Sequence, residues 1–178
     1  MHVALLRGVN LAGRRSVAMA DLRAFAEALG LSEARTLLNS GNLVFRSASR
    51  SGEQLEKLFE AESEKHLGLR TDFHVRSATE LSAMIKDNPF PAEAKRDPAR
   101  LIVFFLKKTP GSKAFVALQE AIKGRERVLG QGRHAFIYYP DGQGRSKLTL
   151  TMIDKAIGAG TGRNWNTVTK LAALTATA

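Results

Sequence analysis

The stretch RTLLNSGNLVFR, Arg35–Arg46, holds two short apolar runs, Arg35–Leu38 and Leu43–Arg46, on either side of Asn39-Ser40-Gly41-Asn42. Gly and Asn tolerate the positive φ of a tight turn, so the stretch predicts a β-hairpin. Upstream, His2–Arg7 reads as a buried strand and Gly8–Gly13 as a loop. Met19, Leu22, Phe25, Ala26 and Leu29 then recur at helical spacing, with Gly30 where a helix C-terminal glycine belongs. Downstream, Gly52–Leu67 predicts a helix with Leu55, Leu58 and Phe59 on its apolar stripe and an i, i+4 Glu53–Lys57 pair on the wet side. Thr71–Arg76 closes the segment as a strand. The order is βαββαβ, the split βαβ arrangement of ferredoxin-like folds.

The pattern then begins again. Thr79–Lys86 predicts a short helix ended at Asn88-Pro89, because a residue before proline avoids the helical region. Phe90–Arg100, proline-rich and of mixed charge, is the expected boundary between halves. Leu101–Leu106 is wholly apolar, hence a central strand. Ser112–Lys123 predicts a helix burying Phe115, Leu118 and Ile122, and Arg127–Leu129 with Ala135–Tyr139 predicts a hairpin around Gly130-Gln131-Gly132. ALQEAIKG followed by RVLGQGRHAFI echoes AFAEALG followed by RTLLNSGNLVF, which points to a duplication. Where the first half has its fourth strand, the second reads as two helices, Ser146–Ile157 and Thr161–Leu174. The expected class is α+β: two ferredoxin-like (βαββα-type) subdomains in one compact unit, residues 1–89 and 90–178, the second with an extra C-terminal helix.

Composition narrows the functional classes. With 178 residues, 44% of them hydrophobic and 25% charged, the chain is long enough to bury a core without disulfides or metals. It has no cysteine, which removes disulfide scaffolds, zinc–cysteine sites, iron–sulfur clusters and thiol nucleophiles. No apolar run approaches the ~18 residues of a membrane span, and the N-terminal MHVALLR is too short an apolar run for a signal peptide, so the expected setting is cytoplasmic, with no membrane partner. The net charge is +10, from 27 basic and 17 acidic residues. Residues 90–178 alone hold 15 basic and six acidic residues, an electrostatic footprint suited to phosphate-bearing partners.

Three constellations could use that charge. In PDGQGRSKLT, Pro140–Thr149, two glycines precede a predicted helix start that Ser146 could cap, flanked by Arg145 and Lys147. The spacing is not that of a P-loop. In TGRNWNTVTK, Thr161–Lys170, a helical reading puts Trp165, Val168 and Ala172 on a core face. Arg163, Asn166, Thr167 and Lys170 then lie on the other face. Arg163 would stand in a first turn against the helix dipole, which an anion would compensate. Third, Arg7-Gly8-Val9-Asn10 leaves the first strand at the sheet rim, and Asn42 lies in the hairpin turn; asparagine is also common in turns for backbone reasons alone.

No local catalytic signature stands beside these. His2, His66, His74 and His134 are scattered, and Glu62 with His66 at i, i+4 lacks a third metal ligand in sequence. The first half lacks the strand aromatics of an RNA-recognition motif: HVALLR has none and NLVFRS only Phe45. Neither cofactor nor metal is expected.

ALLRGVN, MADLRAFAEALG, NSGNLVF, NPFP, RSKLT and TGRNWNTVTKL together resemble the bacterial domain of unknown function 1697 family across nearly the whole chain. The resemblance implies two ferredoxin-like subdomains and no established activity, cofactor or catalytic residue. Gly162 departs from the threonine-like residue expected before Arg163. The leading expectation is a noncatalytic binder of an anionic, phosphate-bearing ligand such as nucleic acid or nucleotide. The Thr161 helix start, the Ser146-Lys147 helix start and the Arg7 loop would converge on it; Lys147, Arg163 and Lys170 would neutralise charge, and Asn10, Asn42 and Asn166 would orient by hydrogen bonds. The alternative is an enzyme acting on a phosphorylated or carboxylated small molecule. In a third reading the motifs are purely structural.

Overall fold

The computed structural model describes residues 1–10 and 16–176; the part of the predicted Gly8–Gly13 loop from residue 11 onward lies outside them. The chain divides into two units, Met1–Ala83 together with the chain end from Lys170, and Met84–Thr169.

The first unit runs β1 (His2–Leu6), α1 (Met19–Ala28), β2 (Ser32–Thr36), β3 (Asn42–Arg46), α2 (Gly52–Leu67) and β4 (Phe73–Ser77). Its sheet is antiparallel throughout, in the order β2-β3-β1-β4, which is the ferredoxin-like order. α2 begins at Ser51 because that residue and Gln54 form a reciprocal capping box, and it ends at Gly68, whose φ of 65° supplies the left-handed cap. Alternation along the strands sends Ala4, Leu6, Leu43, Phe45, Phe73 and Val75 toward the helices. There they pack with Leu22, Phe25, Leu55 and Phe59, and Phe59 stacks on Phe73 at 5.0 Å between ring centroids. Val3, Leu5, Val44 and His74, on the other face, are buried too.

The hairpin forms, but β2 lies further upstream than the apolar pattern predicts. A bulge between Ser32 and Arg35, with Glu33 at φ 55°, moves the strand to Ser32–Thr36 and leaves Leu38 in the loop at φ 58°, 55% exposed. The turn is anchored by Gly41. A Cβ there would fall 2.5 Å from Val9 Cγ2, and Leu6 N donates to Gly41 O at 2.9 Å, so only glycine lets the turn close onto the end of β1.

The second unit opens within α3 (Ala78–Lys86) and continues through α4 (Pro91–Arg96) and a 3-10 turn at Pro98–Arg100. The stretch Phe90–Arg100, predicted as a boundary, is therefore largely helical. β5 (Leu101–Leu106), α5 (Ala114–Ala121), β6 (Arg127–Gln131), β7 (His134–Tyr138), α6 (Leu150–Ile157) and β8 (Gly160–Asn164) follow, with the sheet ordered β6-β7-β5-β8. α7 (Trp165–Ala176) ends the described chain.

This corrects the sequence reading in one respect. The second half is a complete βαββαβ, because Thr161–Asn164 belongs to a strand antiparallel to β5 and not to a helix. The segment GTGRN conceals the strand because Gly160 and Gly162 replace the usual β-branched residues. They are glycines for packing: a Cβ on Gly160 would sit 2.8 Å from Phe105 O, and one on Gly162 3.2 Å from Phe104 Cζ. β5 is buried along its whole length, as its apolar run requires. Among the described residues no helix is long and apolar enough to cross a membrane.

Candidate functional site

In the first unit, Asn10 and Asn42 both act on loops beside Gly41. Asn10, at φ 55°, donates from Nδ2 to Val17 O (2.9 Å) and Asn39 O (2.7 Å), while its Oδ1 accepts from Val17 N (2.8 Å). Asn42 is fully buried and donates from Nδ2 to Leu37 O and to Ser40 Oγ, both at 2.8 Å. Their amides bridge segments that no regular ladder joins.

Arg7 leaves β1 at the sheet end and lines a cleft of about 320 Å³ with Glu60, Arg70, Thr71 and Asp72. The cleft is held by backbone and side chain together. Arg7 N donates to Asp72 O (3.0 Å), Thr71 Oγ1 donates to Arg7 O (2.7 Å), and Glu60 Oε1 accepts from Phe73 N (2.9 Å). Two guanidinium and two carboxylate groups line it, so its walls have no single sign of charge. Arg70 also donates from Nε to Glu64 Oε2 at 2.6 Å.

In the second unit the two predicted helix starts change character. Arg163 lies on β8 opposite Val103, on the sheet face away from α5 and α6, and is 9% exposed. Its Nη1 donates to Thr161 Oγ1 and to Gly162 O, both at 2.8 Å. Burial lowers its pKa to about 10, so the guanidinium is still charged at neutral pH. Arg163 does not stand in a helix's first turn, because α7 starts two residues later. There Asn164 Oδ1 accepts from Thr167 N at 2.9 Å, a cap that the sequence reading missed although Asn is a preferred N-cap residue. Trp165 is buried, as a core anchor should be. Thr167 is also buried, leaving Asn166 and Lys170 exposed one turn apart.

Ser146 does not cap α6. Thr149 does, accepting from Met152 N at 3.2 Å. Ser146 instead donates a hydrogen bond to Glu126 Oε1 and accepts from Leu148 N at 3.0 Å, while Lys147 is exposed. Glu126 Oε2 and the Tyr139 hydroxyl are buried with no partner among the described residues. Burial, and then the charge of Glu126, push the Tyr139 pKa well above the usual phenol value. Glu126 is not apparent as a partner of Ser146 in sequence, since it lies 20 positions away.

Glu62 and His66 meet at 3.5 Å on α2, yet among the described residues no group of three or more potential metal ligands forms. Phe45 points into the helix-side core, so the first sheet presents no ring for base stacking.

A family model described as "Protein of unknown function (DUF1697)" matches residues 1–136. The chain belongs to the DUF1697 family. The match ends at Phe136, so Ser146, Lys147, Arg163 and Trp165 of this DUF1697 member lie beyond it. A solved structure of a conserved bacterial protein from Streptococcus pneumoniae is similar over 98% of this chain and 97% of its own, with a TM-score of 0.76 at 25% identity. That likeness takes in both ferredoxin-like units. No curated protein matches the sequence.

Proposed function

We propose that this DUF1697 member is a noncatalytic binder of a phosphate-bearing partner, nucleic acid or nucleotide. The observation that supports the reading is where the charge lies. Met84–Thr169 holds 15 basic against seven acidic residues, a surplus of eight within one unit of a chain whose total is +10. Such a field attracts polyanions over distances up to about 8–10 Å at ordinary salt. Of the residues that the sequence singles out, Lys147, Asn166 and Lys170 have exposed side chains suited to contact. Arg163, Asn10 and Asn42 are better suited to holding backbone than to meeting a large ligand. Titration of labelled RNA and DNA at rising salt tests the reading. Affinity should fall with a log–log slope of about 0.7 to 0.9 per phosphate contacted, and no binding even at low salt would remove it.

The Arg7 cleft supports a second reading, an enzyme or small-molecule binder for a phosphorylated or carboxylated metabolite. Its volume of about 320 Å³ suits a compound of that size. A thermal-shift screen followed by turnover assays separates the two. Turnover that disappears in Arg7→Ala favours the enzyme, and stabilisation without turnover favours binding.

A further inference from the structure

We infer that five arginines gathered at one end of the second unit's sheet form a docking surface for the phosphate backbone of duplex nucleic acid. This rests on the anion-binding reading above and gives it a place and a partner. The topology brings the residues together. In the order β6-β7-β5, the start of β6, the end of β7 and the start of β5 all lie at the same sheet end. Arg127 opens β6 and Arg125 precedes it, Arg100 precedes β5, Arg96 closes α4, and Arg145 lies in the turn after β7. All five are exposed.

Hydrogen bonds hold four of the five side chains in place. Arg96 donates from Nε to Asp97 Oδ2 (2.9 Å) and from Nη2 to the Tyr138 hydroxyl (3.0 Å), which itself donates to Asp97 Oδ2 at 3.2 Å. Arg100 Nη1 donates to Pro140 O. Arg125 grips Asp141 with two donors, Nε at 3.0 Å and Nη2, and the Asp141 carboxyl is held below its usual range first by that pairing, then also by the charges of Arg100 and Arg145. Arg127 donates to Glu93 Oε1 at 2.8 Å and lies over the Phe90 ring at 4.8 Å. Five cations thus meet three carboxylates. Three arginines are oriented by those acids; Arg100 and Arg145 make no ion pair of their own among the described residues, and their charges act on Asp141 from further off.

Two features select duplex backbone among polyanions. First, guanidinium groups present forked donors that match phosphate oxygens, and every cation named here is arginine. Second, no aromatic face is offered for stacking. Phe90, Tyr138 and Tyr139 are all at most 5% exposed, whereas single-strand binders depend on exposed rings. From β6 to β5 is two interstrand steps, about 10 Å, close to the axial rise of three phosphates on one strand.

The test is fluorescence anisotropy of a labelled 20-base-pair duplex with the full chain at low salt. Arg100→Glu with Arg145→Glu reverses two charges without breaking an ion pair, and Arg100→Ala with Arg145→Ala is the milder companion should the reversal disturb folding. Lys108→Glu with Lys113→Glu is the control, the same change in charge beyond the other end of β5, about 20 Å away. The expected result is at least a tenfold loss in the arginine variants, a salt slope lower by about 1.8 in the alanine pair, and a loss within about twofold in the control. Equal losses in all variants would overturn the location while leaving general anion binding standing. Tighter binding to a single strand, or to vesicles rich in anionic lipid, would overturn the duplex partner. If wild type binds none of these at low salt, the anion-binding reading fails as well.

Discussion

Arg163 and Tyr139 show how a side chain's role depends on which element carries it. As a first-turn helix residue, Arg163 would face an anion; on β8 it is buried and donates to Thr161 Oγ1 and Gly162 O. Arg163→Ala should therefore cost about 2–4 kcal/mol through lost packing and hydrogen bonds. Denaturant melts will show the loss, and phosphate compounds should not restore it; rescue by such a ligand would restore Arg163 to a binding role. Tyr139 predicts the opposite sign. Its hydroxyl is buried without a hydrogen-bond partner among the described residues, so Tyr139→Phe should raise stability by about 1–2 kcal/mol at pH 8. The pH dependence follows from the raised folded-state pKa. Below pH ~10 the phenol is neutral in both states, and above it the unfolded chain loses its proton while the folded one keeps it. Wild type should thus lose stability above pH ~10, and Tyr139→Phe should lose less. Urea melts at pH 8 and 10.5 compare them.

At the scale of elements, the hairpin stretch Arg35–Arg46 and the apolar strand Leu101–Leu106 were readable because period and turn chemistry agree there. α2 was readable to the residue, since Ser51, Gln54 and Gly68 all signal its ends. β8 was hidden because its glycines answer a tertiary demand, the closeness of Phe104 and Phe105, that no local propensity expresses. With that strand in place, Arg163 stands on β8 opposite Val103 and not in a helix's first turn. The start of α6 failed for a related reason: Ser146 and Thr149 are both good caps, and the choice is made by Glu126, which takes the Ser146 hydroxyl. Of the candidate site, Arg7 at the sheet end was legible from strand polarity, while its cleft partners Glu60 and Arg70 come from α2 and the loop after it. Thr149→Ala should cost about 1 kcal/mol, the ordinary value of an N-cap. Ser146→Ala should cost more, about 1–3 kcal/mol, because it removes a donor from a buried carboxylate whose other oxygen has none among the described residues. Thermal melts of the two variants give the ranking, and the reverse order would return the cap to Ser146.

At the scale of the whole molecule, a surplus of ten positive charges resists compaction and favours any polyanion that relieves it. The chemistry of the charged groups makes this prediction specific. The five proposed contacts are all arginines, and the carboxyls of Asp97 and Asp141 are held below their usual range by Arg96 and Arg125. Guanidinium groups as a class keep their charge through neutral pH, and the shift of Asp97 and Asp141 moves those carboxyls further from it. Duplex affinity at constant salt should therefore be flat between pH 6 and 9, whereas a site built on histidine would weaken as pH rises through ~6.5. Bound duplex should also raise the melting temperature, with about 2.7 kcal/mol of stabilisation at a hundredfold excess over Kd. Salt should erase that gain, since it competes for the same phosphates. Arg100→Glu with Arg145→Glu loses the Arg100–Pro140 hydrogen bond and so should melt below wild type alone, and it should gain little further from duplex. Differential scanning fluorimetry at pH 6, 7.5 and 9, with and without duplex, reads both trends. A stabilisation that fades by pH 9, or persists unchanged in the arginine variant, would move the site away from this sheet end.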